Sequence, residues 1–174
     1  MSVFGIIYCA YNTADLLPLS LPSWIAARRD SLGGNTFKIC AVSVPFEGFN
    51  HEGVPYDGTV LTLEHHLLNG DIDHLIHNEA RPLKETEARG EALKWLVEEG
   101  GADFLWQWDA DEKAEEKDIL SVVRFVESQP YAQCFRLSYG NLVFDAKHYL
   151  AEPFTPMRIH RVRAPGGYIA VDFW

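Results

Sequence analysis

Two carboxylates one residue apart, Asp109 and Asp111, follow a compact aromatic run made of Phe104, Leu105, Trp106, Gln107 and Trp108. A short apolar run of that kind reads as a buried strand. Two carboxylates on the backbone that turns out of such a strand can converge on one hard cation and still leave coordination sites for phosphate oxygens. A cation held there would neutralise the charge that builds up on a departing diphosphate. The plain alternative is an acidic turn that opens the next helix, where Asp and Glu favour the helix dipole. A calcium loop of the EF-hand type is excluded. Lys113 and Ala114 stand where an oxygen ligand and the turn Gly are required, and Leu120 stands where the bidentate Glu should be.

The elements that must position these residues follow from the apolar pattern. Residues 3–9 are apolar, β-branched and aromatic, which predicts a first buried strand. Asn12 or Thr13 is the expected cap of the next helix, whose apolar positions include Leu16, Leu17, Leu21 and Trp24. Pro18 and Pro22 are expected to kink that helix or to divide it. Gly33-Gly34-Asn35 ends the unit; residues 37–44 form a second strand, 61–68 a short helix and 72–76 a third strand. Ala88, Ala92, Leu93, Leu96 and Val97 fall at helical spacing, and Gly100-Gly101 stops that helix before the aromatic fourth strand. Another helical stripe covers 119–126. Alternating strands and helices imply a mostly parallel sheet with right-handed crossovers. After Pro130 the pattern changes to short strands at 133–139, 141–144, 157–162 and 168–172.

Composition narrows the function classes. The chain has 174 residues, enough for one domain with a real core, and no repeats or low-complexity segments. Its formal net charge is -10 and it has no basic run, so a nucleic-acid backbone, which needs clustered Lys and Arg, is not expected as a partner. No apolar stretch approaches the ~20 residues of a spanning helix, and the N-terminal residues do not read as a signal peptide. A cytoplasmic location is expected. Cys9, Cys40 and Cys134 are odd in number and lie in apolar, strand-like runs, so buried free thiols are expected. His65, His66, His74 and His77 do not predict a zinc site. His74 and His77 are three apart in a strand-like run and face opposite sides, and no Cys lies among them.

Three stretches, in order, resemble one known family. Ile6-Ile7-Tyr8-Cys9-Ala10-Tyr11-Asn12, with Leu17, Leu21 and Ser23 after it, resembles the first strand and turn of family 2 glycosyltransferases. Ile76-His77-Asn78-Glu79, followed by Glu87-Ala88-Arg89-Gly90-Glu91-Ala92-Leu93, is similar to the family's third strand and its Ala-Arg-Asn helix. Gly101-Ala102-Asp103 and the run to Asp111 resemble the strand that delivers its Asp-x-Asp motif. The likeness covers about the first two thirds of the chain. Pro156-Met157-Arg158-Ile159-His160-Arg161 more distantly resembles the family's Pro-Arg-Leu-Phe-Arg stretch.

The resemblance implies an α/β protein of the glycosyltransferase A fold, a mostly parallel central sheet flanked by helices with a small β-rich C-terminal part. One domain over residues 1–174 is expected, with 1–112 as the nucleotide-binding part and 113–174 as the acceptor-side part; the chain is then a short or truncated member. It also implies a metal-dependent inverting transferase, hexosyltransferase-like, that uses Mn2+ or Mg2+ and moves a sugar from a UDP- or GDP-linked donor to an acceptor the sequence does not identify. Ala10, Tyr11 and Asn12 would border the base and ribose, and Arg89 would approach the base or the diphosphate. A solvated helix arginine paired with Glu85 is the alternative for Arg89. Asp109 would contact the ribose or the metal, and Asp111 would ligate the metal. The Asp that often ends the second strand is replaced here by Ser43-Val44-Pro45-Phe46, which leaves Glu47 to reach back to the base. For the catalytic base, Asp172 at a predicted strand end ranks first and Asp145 second, because Asp109 and Asp111 lie on the leaving-group side. Nucleotidyl transfer and a non-catalytic sugar-nucleotide-binding module are the competing functions.

Overall fold

The computed structural model describes residues 2–30, 36–47, 57–78, 83–138, 155–164 and 167–168. In chain order the elements are β1 (Val3–Cys9), α1 (Leu17–Arg29), β2 (Thr36–Ser43), α2 (Thr59–Leu68), β3 (His74–His77), α3 (Glu85–Glu98) and β4 (Phe104–Asp109). They continue as α4 (Glu116–Glu127), β5 (Cys134–Arg136), β6 (Met157–Arg161), β7 (Arg163–Ala164) and β8 (Gly167–Tyr168). Six strands form one sheet in the order β3-β2-β1-β4-β6-β5. The first four are mutually parallel, β6 runs antiparallel to β4, and β5 antiparallel to β6. β7 and β8 pair with each other outside that sheet. This is the expected α/β architecture, with the β-rich part at the C-terminal end.

Helices cover both faces of the sheet. Phe4, Ile6 and Tyr8 of β1 belong to a core shared with α1 and α4, whereas Ile7 and Cys9 belong to a second core under α3. A strand buried on both faces cannot alternate apolar and polar residues, which is why β1 reads as one continuous apolar run. β4 obeys the same logic with aromatics. Trp106 and Trp108 meet Trp24 of α1 edge to face, at centroid distances of 4.8 and 5.1 Å, the arrangement that ring quadrupoles favour.

Four local expectations are corrected. Helix α1 starts later than the Asn12/Thr13 cap implied: its N-cap is Leu16, without a side-chain cap, and Asn12 sits in the left-handed region at φ 49°. The Thr13 and Ala14 amides are instead claimed by side chains beyond β2, as described below. α1 runs as one helix through both prolines, since Pro18 falls in its first turn and Leu21, Trp24 and Ile25 around Pro22 are buried. β3 begins at His74 rather than 72, because Asp73 folds its carboxylate onto the Ile39 amide and onto Arg28 and Lys38. Cys9 and Cys40 are buried free thiols as expected, but Cys134 is exposed, because β5, the last strand of the sheet among the described residues, turns only Phe135 inward. The predicted strand at 141–144, most of that at 168–172 and the stop at Gly33-Gly34-Asn35 lie outside the described residues. No described helix is long and apolar enough to cross a membrane.

Gly5 of β1 faces α3, where an added Cβ would lie 3.0 Å from Ala102 Cβ, 3.1 Å from Leu105 Cδ2 and 3.2 Å from Leu96 Cβ. Ala102 Cβ is rigid against its own backbone and cannot step aside. Gly5→Ala is therefore expected to destabilise the fold by about 1–3 kcal/mol through overpacking, measured as a lower urea midpoint with unchanged slope.

Candidate active site

The sheet order reverses at β1: the chain steps outward to β2 on one side and returns to β4 on the other. Ligands of open α/β sheets collect at the carboxyl ends of strands beside such a point. A cleft of about 440 Å³ opens there. Ala10, Tyr11, Thr13 and Leu16, from the β1–α1 turn, form one wall; Val42, Val44 and Phe46, from the end of β2, form another. Cys9 and the Asp109-Ala110-Asp111 segment complete it. Two backbone bonds fix the strand ends beneath it, Ala10 N–H to the Val42 carbonyl and Ala110 N–H to the Cys9 carbonyl, both at 2.8 Å. A cleft of this size with apolar walls and few carboxylates suits a small molecule with a flat apolar part and a charged part.

Asp109 is held from two sides. Its Oδ1 accepts a hydrogen bond from Arg89 Nη2 at 2.8 Å, and its Oδ2 faces Arg158 Nη2 at 3.2 Å. Arg89 comes from α3 and Arg158 from β6, so the carboxylate ties three elements together. Arg89 is only 8% exposed, and it also pairs with Glu85 at 2.8 Å and donates to Gln107 at 3.3 Å. The Glu85 pair read from the sequence is present, but Arg89 is a buried arginine aimed at Asp109, not a solvated one. Burial works against its charge, and the nearby acids, Asp109 and Glu85 among them, more than offset this and hold its pKa above the ordinary value.

Glu112, one residue past the Asp109-Ala110-Asp111 segment, is a site residue that no local sequence signal singles out. Its side chain is largely buried, pairs with Arg158, and accepts the Asp109 amide at 3.2 Å. Its carbonyl accepts Trp108 Nε1 at 3.2 Å, which locks the turn after β4. Burial pushes the Glu112 carboxyl up to about 7, with Arg158 pulling the other way and Asp109 and Asp111 adding to the rise. Arg158 lay in the sequence stretch with the weakest family likeness, and nothing local marked it as a partner of Asp109. The Cys9 thiol, although it lines the cleft, is pushed up to about 12 by burial and stays protonated, so it is no nucleophile.

The remaining sequence candidates divide cleanly. Ala10, Tyr11, Asp109 and Asp111 reach the cleft wall, and Asn12 shapes its turn. Phe46 rather than Glu47 lines it; Glu47 is exposed, with its amide bonded to the Leu83 carbonyl at 2.8 Å. Asp145 and Asp172 lie outside the described residues. Among the described residues no group of three His, Cys, Asp or Glu side chains could hold a metal. Both Asp109 oxygens face guanidinium groups, whereas Asp111 is exposed at the cleft mouth. The donor set thus fits a hard cation through Asp111 together with phosphate oxygens and water, the way Mg2+ is commonly bound. It does not fit a cation gripped equally by both carboxylates.

No family model matches the chain, and no curated protein matches its sequence. Solved structures do resemble it. TarS from S. aureus superposes with a TM-score of 0.52 and 15% identity, covering 92% of this chain and 28% of TarS. The 1–349 piece of TarS gives the same score and identity, with 47% of that chain covered. A 4-diphosphocytidyl-2C-methyl-D-erythritol synthase superposes with a TM-score of 0.50 and 10% identity, covering 92% of this chain and 75% of the synthase. The chain therefore spans less than half the length of the TarS structures it resembles. The likeness is one of fold, an α/β sheet of the glycosyltransferase A type.

Glu112 takes up its proton in the folded chain at a higher pH than in the unfolded chain. Its contribution to stability is complete below the ordinary carboxyl range and is lost as pH rises through about 7. Urea midpoints measured from about pH 5 to pH 8 should include such a fall, and Glu112→Gln should flatten it. An identical pH profile in the variant would remove Glu112 as the source.

Proposed function

We propose that this chain is a glycosyltransferase that binds a UDP- or GDP-linked sugar in the β1–β2–β4 cleft and passes the sugar, with inversion, to an acceptor. The observation that carries the reading is the division of labour between the two carboxylates, Asp109 clamped by arginines and Asp111 exposed at the mouth of an apolar cleft. The flat base would lie against Ala10, Tyr11, Val44 and Phe46, with Asn12 beside the ribose. Asp109, held rigid, would accept a hydrogen bond from a ribose hydroxyl. Arg89 and Arg158 would set the local field beside the diphosphate. Asp111 would hold Mn2+ or Mg2+, whose chemistry there is to offset negative charge on the leaving diphosphate. Residues 1–112 would supply the nucleotide-binding part and 113–174 the acceptor side of one domain, with Arg158 as the link between them.

In the transfer, the acceptor oxygen bonds to the anomeric carbon while that carbon's bond to the phosphate oxygen breaks. The electron pair leaves with the diphosphate and the acceptor's proton passes to a carboxylate on the opposite face. Asp172 is our first assignment for that base and Asp145 the second. Nucleotidyl transfer draws on the fold likeness to the synthase. It usually requires a glycine-rich, basic loop after the first strand, and residues 10–16 contain no Gly, Lys or Arg.

Two measurements test this reading. UDP or GDP should raise the melting temperature more with Mn2+ or Mg2+ than with a chelator, and Asp111→Ala should abolish the difference. At about one hundred times its dissociation constant a nucleotide adds about 2.7 kcal/mol, well within reach of a melt. Stabilisation that ignores the metal, or survives in Asp111→Ala, removes the metal from the account. Separately, Asp172→Asn should lose transfer while keeping nucleotide affinity, and undiminished transfer excludes Asp172 as the base.

A further inference from the structure

The turn that forms one wall of the cleft is not held by its own helix. Thr13 N–H donates to Thr59 Oγ1 at 2.8 Å, and Ala14 N–H donates to Asp57 Oδ2 at 2.8 Å. Both acceptors lie at the start of α2, more than 40 residues further along the chain. The two acceptors are themselves joined. Asp57 Oδ1 receives the Thr59 amide at 2.9 Å and the Thr59 hydroxyl at 2.6 Å. An ionised carboxylate only accepts, so the single Thr59 proton must point to Asp57, which leaves the hydroxyl lone pairs for Thr13. The direction of the whole relay is fixed. Thr59 is fully buried and Asp57 is exposed.

Asn12 is the only non-glycine with positive φ among the described residues, a conformation uncommon outside glycine that Asn adopts more readily than most. Four cleft-lining residues, Ala10, Tyr11, Thr13 and Leu16, belong to this turn, while neither Asp57 nor Thr59 lines the cleft. The Thr13 carbonyl in turn receives the Leu16 and Leu17 amides, so the held turn leads directly into α1 at Leu17.

We propose that Asp57 and Thr59 form a latch that holds residues 10–16 in the shape that admits the nucleotide, so that both are positioning residues for donor capture. This rests on the nucleotide reading of the cleft, and it makes the start of α2 part of the binding apparatus without contact to the ligand. Thr59→Val keeps the side-chain volume and removes both hydroxyl bonds, Thr59→Ser restores the hydroxyl, and Asp57→Ala cuts the exposed end without touching the core.

The experiment uses the full chain and two readouts. Calorimetric titration with UDP and with GDP, each in the presence of Mg2+, gives affinity; amide hydrogen exchange gives protection at Thr13 and Ala14. The latch predicts that Thr59→Val and Asp57→Ala weaken binding of the preferred nucleotide about tenfold, the loss of one to two hydrogen bonds. Exchange at Thr13 should quicken in Thr59→Val and at Ala14 in Asp57→Ala, and Thr59→Ser should restore both affinity and protection. Wild-type affinity in a folded Thr59→Val or Asp57→Ala overturns the proposal, as does unaltered exchange. If Thr59→Val does not fold, Asp57→Ala decides alone. A wild-type chain that binds neither nucleotide sinks the functional reading and, with it, the capture role. Faster exchange in the variants would then still establish the hold on the turn, and unchanged exchange would refute that as well.

Discussion

The site is organised around the carboxylate of Asp109 and the two guanidinium groups that face it. A carboxylate at a strand end would ordinarily be solvated and free to turn. Here α3 delivers Arg89 to one oxygen and β6 delivers Arg158 to the other. An ion pair taken out of water is costly unless its geometry is good and its remaining polar atoms find partners. The further contacts meet that condition in large part: Gln107 and Glu85 on Arg89, Glu112 on Arg158. Because the members come from both sides of the sheet order, the cluster joins the parallel N-terminal half to the antiparallel C-terminal strands at the place where a ligand would bind.

The aromatic core keeps that cluster in register. Phe104, Trp106 and Trp108 occupy one face of β4, and Leu105, Gln107 and Asp109 must therefore face α3. Packing of Trp24 against Trp106 and Trp108 on the far face fixes the strand's rotation, so a one-residue slip would turn Asp109 toward Trp24 and force the two indole rings into the core under α3. The β4 edge nearest β1 is tied down by the Ala110–Cys9 backbone bond. The polar residues at the end of β4 are thus aimed by the apolar ones before them.

The cleft's other wall is built on a different principle. The β1–α1 turn carries a left-handed backbone at Asn12. Its Thr13 and Ala14 amides are bonded to side chains at the start of α2. A wall made rigid by packing and a wall set by directional bonds meet across one opening, and the second is the more easily reshaped by single substitutions.

The sequence alone determined the strands and helices of the first two thirds, because both-face burial writes continuous apolar runs and helix packing writes a 3.6-residue period. It also marked Asp109 and Asp111, since a strand that ends in two carboxylates is conspicuous locally, and it singled out Arg89 on its helix. What it did not carry were the partners. Arg158 is 49 positions from Asp109, and Asp57 and Thr59 are more than 40 from the amides they accept; no local pattern announces such pairs. Glu112 is set apart only by its burial beside Arg158. The late start of α1, with Leu16 in place of Thr13 at its N-cap, was likewise not marked by any local pattern. Periodicity and end signals are properties of neighbours in the chain, whereas charge pairing and latch bonds depend on which strands the tertiary fold lays side by side.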